Sequence, residues 1–108
     1  MTLDEAYAAI QEFDKTFPVP YDPGHRLRLL IEELGEWCEA ANKDKSKEYQ
    51  AEELVDVLYV LLGTFDVAGY DLYAALEKVV EKNKKKVIRK DHLKVSSTGK
   101  ILKEEDSF

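Results

Sequence analysis

The chain has 108 residues, 44% apolar and 35% charged, with a formal net charge of -6 and a single cysteine. That length is one domain with room for a real core, and the lone Cys38 excludes an internal disulfide. No apolar run is long enough to cross a bilayer, and Met1-Thr2-Leu3-Asp4-Glu5 does not read as a secretory leader, so a cytoplasmic protein with no membrane partner is expected.

Charge is distributed unevenly. Residues 1–81 carry 18 acids against 7 bases, while residues 82–103 carry 9 bases against one acid, Asp91. An acidic body repels a phosphate backbone, so nucleic acid is an unfavoured partner. The basic segment is either a solvated tail or a source of cations for an anionic substrate.

Thr2 and Glu5 have the form of a capping box. Leu3, Ala6, Tyr7, Ile10 and Phe13 follow at helical spacing, which predicts a first helix ending near Lys15. Pro18, Pro20, Pro23 and Gly24 break the next stretch into a loop. A second helix is expected from about His25 to Asn42, with Leu27, Leu30, Ile31, Leu34, Trp37, Cys38 and Ala41 as its apolar stripe. Ser46 is a candidate N-cap for a third helix ending near Asp66, whose main stripe is Leu54, Val57, Leu58, Leu61 and Phe65. Gly69 is the stop signal. A fourth helix turns Leu72, Ala75, Leu76, Val79 and Val80 inward and fades into Lys82-Asn83-Lys84-Lys85-Lys86. Residues 85–108 form a basic tail, with a short hairpin of His92–Val95 against Lys100–Leu102 turning at Ser96-Ser97-Thr98-Gly99. Four amphipathic helices with short connections predict an all-α, four-helix bundle-like fold. Their broad stripes are most readily covered in a homodimer or higher homo-oligomer.

Two acidic clusters carry the chemistry. Glu32-Glu33-Leu34-Gly35-Glu36 has the form E-E-x-x-E, and Glu53-Leu54-Val55-Asp56 the form E-x-x-D. Such spacings put like charges on adjacent helical turns, where each exposed pair repels by about 0.2–0.5 kcal/mol. On the second helix Glu32, Glu33 and Glu36 lie away from the apolar stripe, as a solvated face would. On the third, Val60 and Gly63 share a side with Glu53 and Asp56, so that face is expected to be covered. Covered carboxylates need a cation or a donor. Hard oxygen ligands suit Mg²⁺, with Mn²⁺ as a substitute. A metal so held activates water and neutralises charge on a phosphoryl leaving group, and a spare carboxylate can act as base. Phosphoanhydride hydrolysis is the reaction class that fits.

Other chemistries fit poorly. The chain has no G-x-x-x-x-G-K-[ST] and no Glu-x-x-His. His25 and His92 each stand alone and read as surface or loop residues, while Trp37 and Cys38 read as core. The competing reading of the same charges is a non-catalytic helical interaction module.

The ordered motifs resemble those of the all-α nucleoside triphosphate pyrophosphohydrolases, the superfamily of MazG, dimeric dUTPases, dCTP pyrophosphatases and phosphoribosyl-ATP pyrophosphohydrolase. Within it, the chain is most similar to the MazG-like, phosphoribosyl-ATP-pyrophosphohydrolase-like single-domain proteins. The likeness spans most of the chain. Phe13, Phe17 and Pro20 with residues 28–33 lead into the first acidic motif, and residues 53–59 with Gly63 resemble the second. Gly69-Tyr70-Asp71 resembles the following turn, and Asn83 and Lys86 match an N-x-x-K element. Residues 98–103 resemble a D-G-K-V-L-K element, with Thr98 in place of the aspartate. The resemblance implies a MazG fold over residues 1–108 and Mg²⁺-dependent conversion of a (d)NTP to (d)NMP and pyrophosphate in nucleotide-pool housecleaning. Phosphoribosyl-ATP is the alternative substrate. It implies Glu33, Glu36, Glu53 and Asp56 as metal ligands and Glu32 as either a further ligand or the base acting on water, with base the favoured role. Asn83 and Lys86 are implied as nucleotide contacts, with Lys100, Lys103 and Arg28 as candidate phosphate contacts.

Overall fold

The computed structural model describes residues 1–90 and 95–101. Among them are four helices, α1 (Leu3–Thr16), α2 (Pro23–Asn42), α3 (Lys47–Ala68) and α4 (Leu72–Ile88), and no strand beyond one antiparallel bridge, Val95 to Ile101. The fold is all-α and bundle-like, as the periodicity predicts. No helix among the described residues is long and apolar enough to cross a membrane. The chain forms two compact units, Met1–Leu72 and Tyr73–Phe108.

Local signals set the helix ends. The Thr2 hydroxyl accepts from the Glu5 N–H at 3.1 Å while Glu5 Oε1 accepts from the Thr2 N–H at 3.1 Å, the reciprocal capping box. α2 begins at Pro23 rather than at His25, because Asp22 Oδ1 caps the Gly24 N–H at 2.9 Å and proline is well suited to a first helical position. Ser46 caps α3 through the Tyr49 N–H, and Gly69 ends it in the left-handed conformation, φ 73°. α4 does not fade at its lysines but continues to Ile88. Lysine is a good helix former, and Lys85 and Lys86 in the last turn meet the negative end of the helix dipole. Of the expected hairpin, the Val95–Ile101 bridge is present, with the Ser96 N–H donating to the Lys100 carbonyl and Gly99 at φ 86°. His92 and Leu102 lie outside the described residues.

Within the first unit α3 packs against both α1 and α2. Tyr7 and Ile10 of α1 meet Leu62 of α3 and Leu72, with Phe65 packed alongside. Phe13 adds an edge-on contact to Tyr59, ring centroids 5.7 Å apart. The α2–α3 seam is more polar. Arg26 Nη2 donates to the Val60 carbonyl and Arg26 Nε to the Thr64 hydroxyl, both at 2.9 Å. Thr64 also donates to the Val60 carbonyl at 2.7 Å. Gly63 is buried beneath the guanidinium, and a Cβ there would lie 2.9 Å from Arg26 Nη2.

That seam corrects the stripes expected from periodicity. The covered side of α2 runs through Arg26, Leu30, Glu33, Trp37 and Ala40, and that of α3 through Gln50, Glu53, Val57, Val60 and Thr64. Leu27 (57% exposed), Ile31 (61%), Leu34 and Cys38 face outward, as do Leu54, Leu58 and Leu61. Of the expected inward residues of α4, Leu72 is buried but Ala75, Leu76, Val79 and Val80 are exposed. The two exposed stripes of α2 and α3 are each displaced one residue forward from the seam positions. One residue turns a helix by roughly 100°. In an antiparallel pair, equal forward steps bring both stripes to the same side of the layer. The result is one continuous apolar face on a single chain.

A second carboxyl pair ties α1 to α3. Asp14 Oδ2 is closed off from solvent and meets no donor. Burial, and then the hydrogen bond and charge of Asp66, push the Asp14 carboxyl up to about 6, against a smaller opposing pull from Arg26. A proton on Asp14 turns its contact with Asp66 into a hydrogen bond.

Two outcomes follow from this packing. In a double-mutant cycle, Gly63→Ala is less favourable in the wild-type background than in an Arg26→Ala background, by about 1 kcal/mol in denaturant melts. Additive effects would mean that the guanidinium does not rest on Gly63. For Asp14, the folded value lies above the ordinary 3.8. Its stabilising contribution is therefore complete below roughly pH 4 and lost as pH rises through about 6. Asp14→Asn keeps an N–H donor toward Asp66, so its melting temperature exceeds that of wild type at neutral pH and the gap closes on acidification. A gap that does not vary with pH would exclude Asp14 as the titrating group.

Candidate metal centre

The acidic site lies on the seam that Arg26 registers. Glu33 stands two helical turns beyond Arg26 on the same face of α2, and Glu53 two turns before Val60 on the same face of α3. Antiparallel packing therefore sets the carboxylates opposite one another. Glu33, Glu53 and Asp56 each bring one oxygen within 4.8 Å of the others. Glu33 and Glu53 are half-buried and Asp56 is exposed, so the group opens to solvent on one side. The position of Glu33 corrects the reading that placed it on an outer face away from packing.

Carboxylate charge accumulates here. Glu33 Oε2 and Glu53 Oε2 are both shielded from solvent and meet no donor. Burial raises the Glu33 carboxyl above its usual range, and the charge of Glu36, its hydrogen bond to Glu33, and the charges of Asp56 and Glu32 raise it further. Orphaned, covered carboxylate oxygens converging within one coordination sphere match the needs of a hard divalent cation. The donor set therefore fits the metal that the motifs imply.

The remaining acids fall around this group. Glu36 adjoins Glu33 and, with Glu53, lines a cleft of about 440 Å³ between the end of α2 and the start of α3. Glu32 is exposed and acts on Glu33 through its charge. Tyr49 lies one turn before Glu53 in the same cleft, and the charge of Glu53 followed by a hydrogen bond to it holds the Tyr49 hydroxyl above its ordinary pKa. Sequence reasoning passed over Tyr49. The available signal was its spacing of four residues from Glu53.

Apart from Arg28, the described candidates for substrate contact sit in the second unit. Asn83 and Lys86 line a cleft of about 490 Å³ with Val87, Lys90, Val95 and Ile101. Asn83 Nδ2 donates to the Val79 carbonyl of its own helix at 3.1 Å. Lys100 is exposed, with its backbone tied to Ser96, and Lys103 lies outside the described residues. Arg28 is exposed in the first turns of α2, whereas its neighbour Arg26, not singled out in the sequence, makes the seam contacts. His25 is not the plain surface residue expected: it is half-buried, with Nδ1 enclosed and unpartnered. His92 is outside the described residues.

A family model described as phosphoribosyl-ATP pyrophosphohydrolase matches residues 4–83, most of the chain. The matched span takes in both acidic motifs and ends at Asn83, short of Lys86, Lys100 and Lys103. No curated protein and no solved structure matches the chain.

Proposed function

The chain belongs to the phosphoribosyl-ATP pyrophosphohydrolase family and is a metal-dependent phosphoanhydride hydrolase acting on a nucleotide, and from that premise we propose its metal, reaction and assembly. Glu33, Glu36, Glu53 and Asp56 hold Mg²⁺, which Mn²⁺ can replace. The reaction is (d)NTP plus water to (d)NMP plus pyrophosphate, a step of nucleotide-pool housecleaning in the cytoplasm. The observation that carries this reading is the pair of covered, unpartnered oxygens of Glu33 and Glu53 beside Asp56. Phosphoribosyl-ATP is the second substrate to test, because the matching family is described by it.

When bound, the metal supplies charge neutralisation for the phosphate chain and acidifies a ligated water. The residues divide the remaining work. Glu32, exposed and next to the ligand Glu33, takes the proton of the attacking water. Asn83 and Lys86 contact the nucleotide, and Lys100 and Lys103 its phosphates. We read residues 1–108 as one MazG-like domain with residues 85–108 as its basic end.

The apolar face formed by Leu27, Ile31 and Leu34 with Leu54, Leu58 and Leu61 supports a homodimer or higher homo-oligomer. Light scattering gives a mass at least twice the 12.4 kDa of one chain, and Ile31→Glu reduces it. A 12.4 kDa particle at micromolar concentration would overturn the assembly.

A pyrophosphate-release screen over canonical nucleotides, damaged nucleotides and phosphoribosyl-ATP, with Mg²⁺ or Mn²⁺, identifies the substrate. Glu33→Ala and Asp56→Ala each reduce turnover by about a hundredfold or more, since each removes part of the metal's several-kcal/mol contribution. Mg²⁺ raises the melting temperature of the wild type but much less that of these variants. Full activity in both variants would place the centre elsewhere.

A further inference from the structure

The cleft beside the carboxylates has a second, cationic wall. Glu36, Glu39 and Glu53 line it together with Lys43, Lys45 and Tyr49. Glu53 belongs to the converging carboxylate group as well, so the cleft and that group share a side chain. A phosphate chain cannot settle against carboxylates alone, because like charges repel. It needs cations on its other side.

The two lysines differ in availability. Lys43 Nζ is 2.6 Å from Glu39 Oε1, an i,i+4 ion pair that satisfies it locally. The Lys45 ammonium makes no ion pair among the described residues, while its backbone is fixed at both ends. The Lys45 N–H donates to the Ala40 carbonyl at 3.1 Å, and its carbonyl accepts from Gln50 Nε2 at 2.8 Å. Asp44, in the left-handed conformation at φ 52°, makes the reversal that sets this geometry. The loop therefore presents a firmly anchored Cα with a cation at the cleft that makes no contact ion pair and acts on Glu39 only through its charge. Among known uses of such a lysine, docking of phosphate as a point charge is the one that suits its neighbours.

We propose that Lys45 binds the terminal phosphates of the nucleotide, the part that departs as pyrophosphate. This rests on the metal reading above and adds to it a residue that no acidic motif contains. Water attacks the α-phosphorus and the bond from that phosphorus to the α,β-bridging oxygen breaks. The electron pair leaves with the pyrophosphate oxygen. Lys45 meets the charge that grows on this leaving group, while the carboxylates face the metal.

Calorimetric titration of the full chain with Mg²⁺ alone and then with magnesium pyrophosphate tests this. Lys45→Ala binds Mg²⁺ like the wild type but pyrophosphate about tenfold more weakly, the scale of one charge-assisted contact. Lys45→Arg recovers most of the loss, and AMP binds equally to all three proteins. Unchanged pyrophosphate affinity in Lys45→Ala, or equal weakening for AMP, would overturn the assignment while leaving the metal centre intact. A wild type that binds no Mg²⁺ would overturn the metal reading itself, whatever Lys45 does.

Discussion

The register of α2 against α3 rests on the Arg26 guanidinium, which bonds to the Val60 carbonyl and the Thr64 hydroxyl. A planar, forked cation on two acceptors of the facing helix fixes both distance and slide, which apolar packing alone does only loosely. Gly63 allows the approach because it offers no side chain where the guanidinium lies. With that end pinned, the helical repeat carries the consequence along the seam. Glu33 and Glu53 must meet, because each is two turns from the clamp on its own helix. A slip of one residue on either helix would rotate one carboxylate out of the group.

The seam combines cohesion at one end with repulsion at the other. Around Arg26 the polar groups are mutually satisfied. Around Glu33 they are not: Glu33 Oε2 and Glu53 Oε2 lack donors, and the charges of Glu36, Asp56 and Glu32 bear on Glu33. Repulsion of this kind costs stability in a metal-free chain, and a cation entering there would relieve it, which would link binding energy to folding energy. The Asp14–Asp66 pair applies a related arrangement to the α1–α3 contact, with a proton in place of a metal.

The Lys45 loop and the exposed leucine face extend this division by side of the layer. One end of the seam offers carboxylates and an anchored lysine to an anionic ligand. The side built from Leu27, Ile31, Leu54 and Leu58 offers only apolar contact. A phosphate chain and a second copy of the chain would thus address different parts of the same helix pair.

Much of this was legible in the chain itself. The Thr2–Glu5 box, the Ser46 cap and the Gly69 stop are local hydrogen-bonding signals, so α1 and α3 begin and end close to where they were expected. The two acidic motifs were visible because their spacing is that of a helix, and Val60 with Gly63 already marked the covered side of α3. Periodicity could not reveal which of two apolar-bearing sides of α2 meets α3. It favoured the leucine-rich stripe, yet the half-buried side carries Arg26 and Glu33. Hydrophobic patterning reports what a helix would bury against any partner, including a second copy, whereas the intrachain partner is selected by hydrogen bonds between residues 34 and 38 positions apart. Composition and spacing determined the helices and the supply of carboxylates. Tertiary contact decided which carboxylates converge and sets Lys45 in the cleft beside them, because convergence depends on interhelical register, and no single helix encodes that.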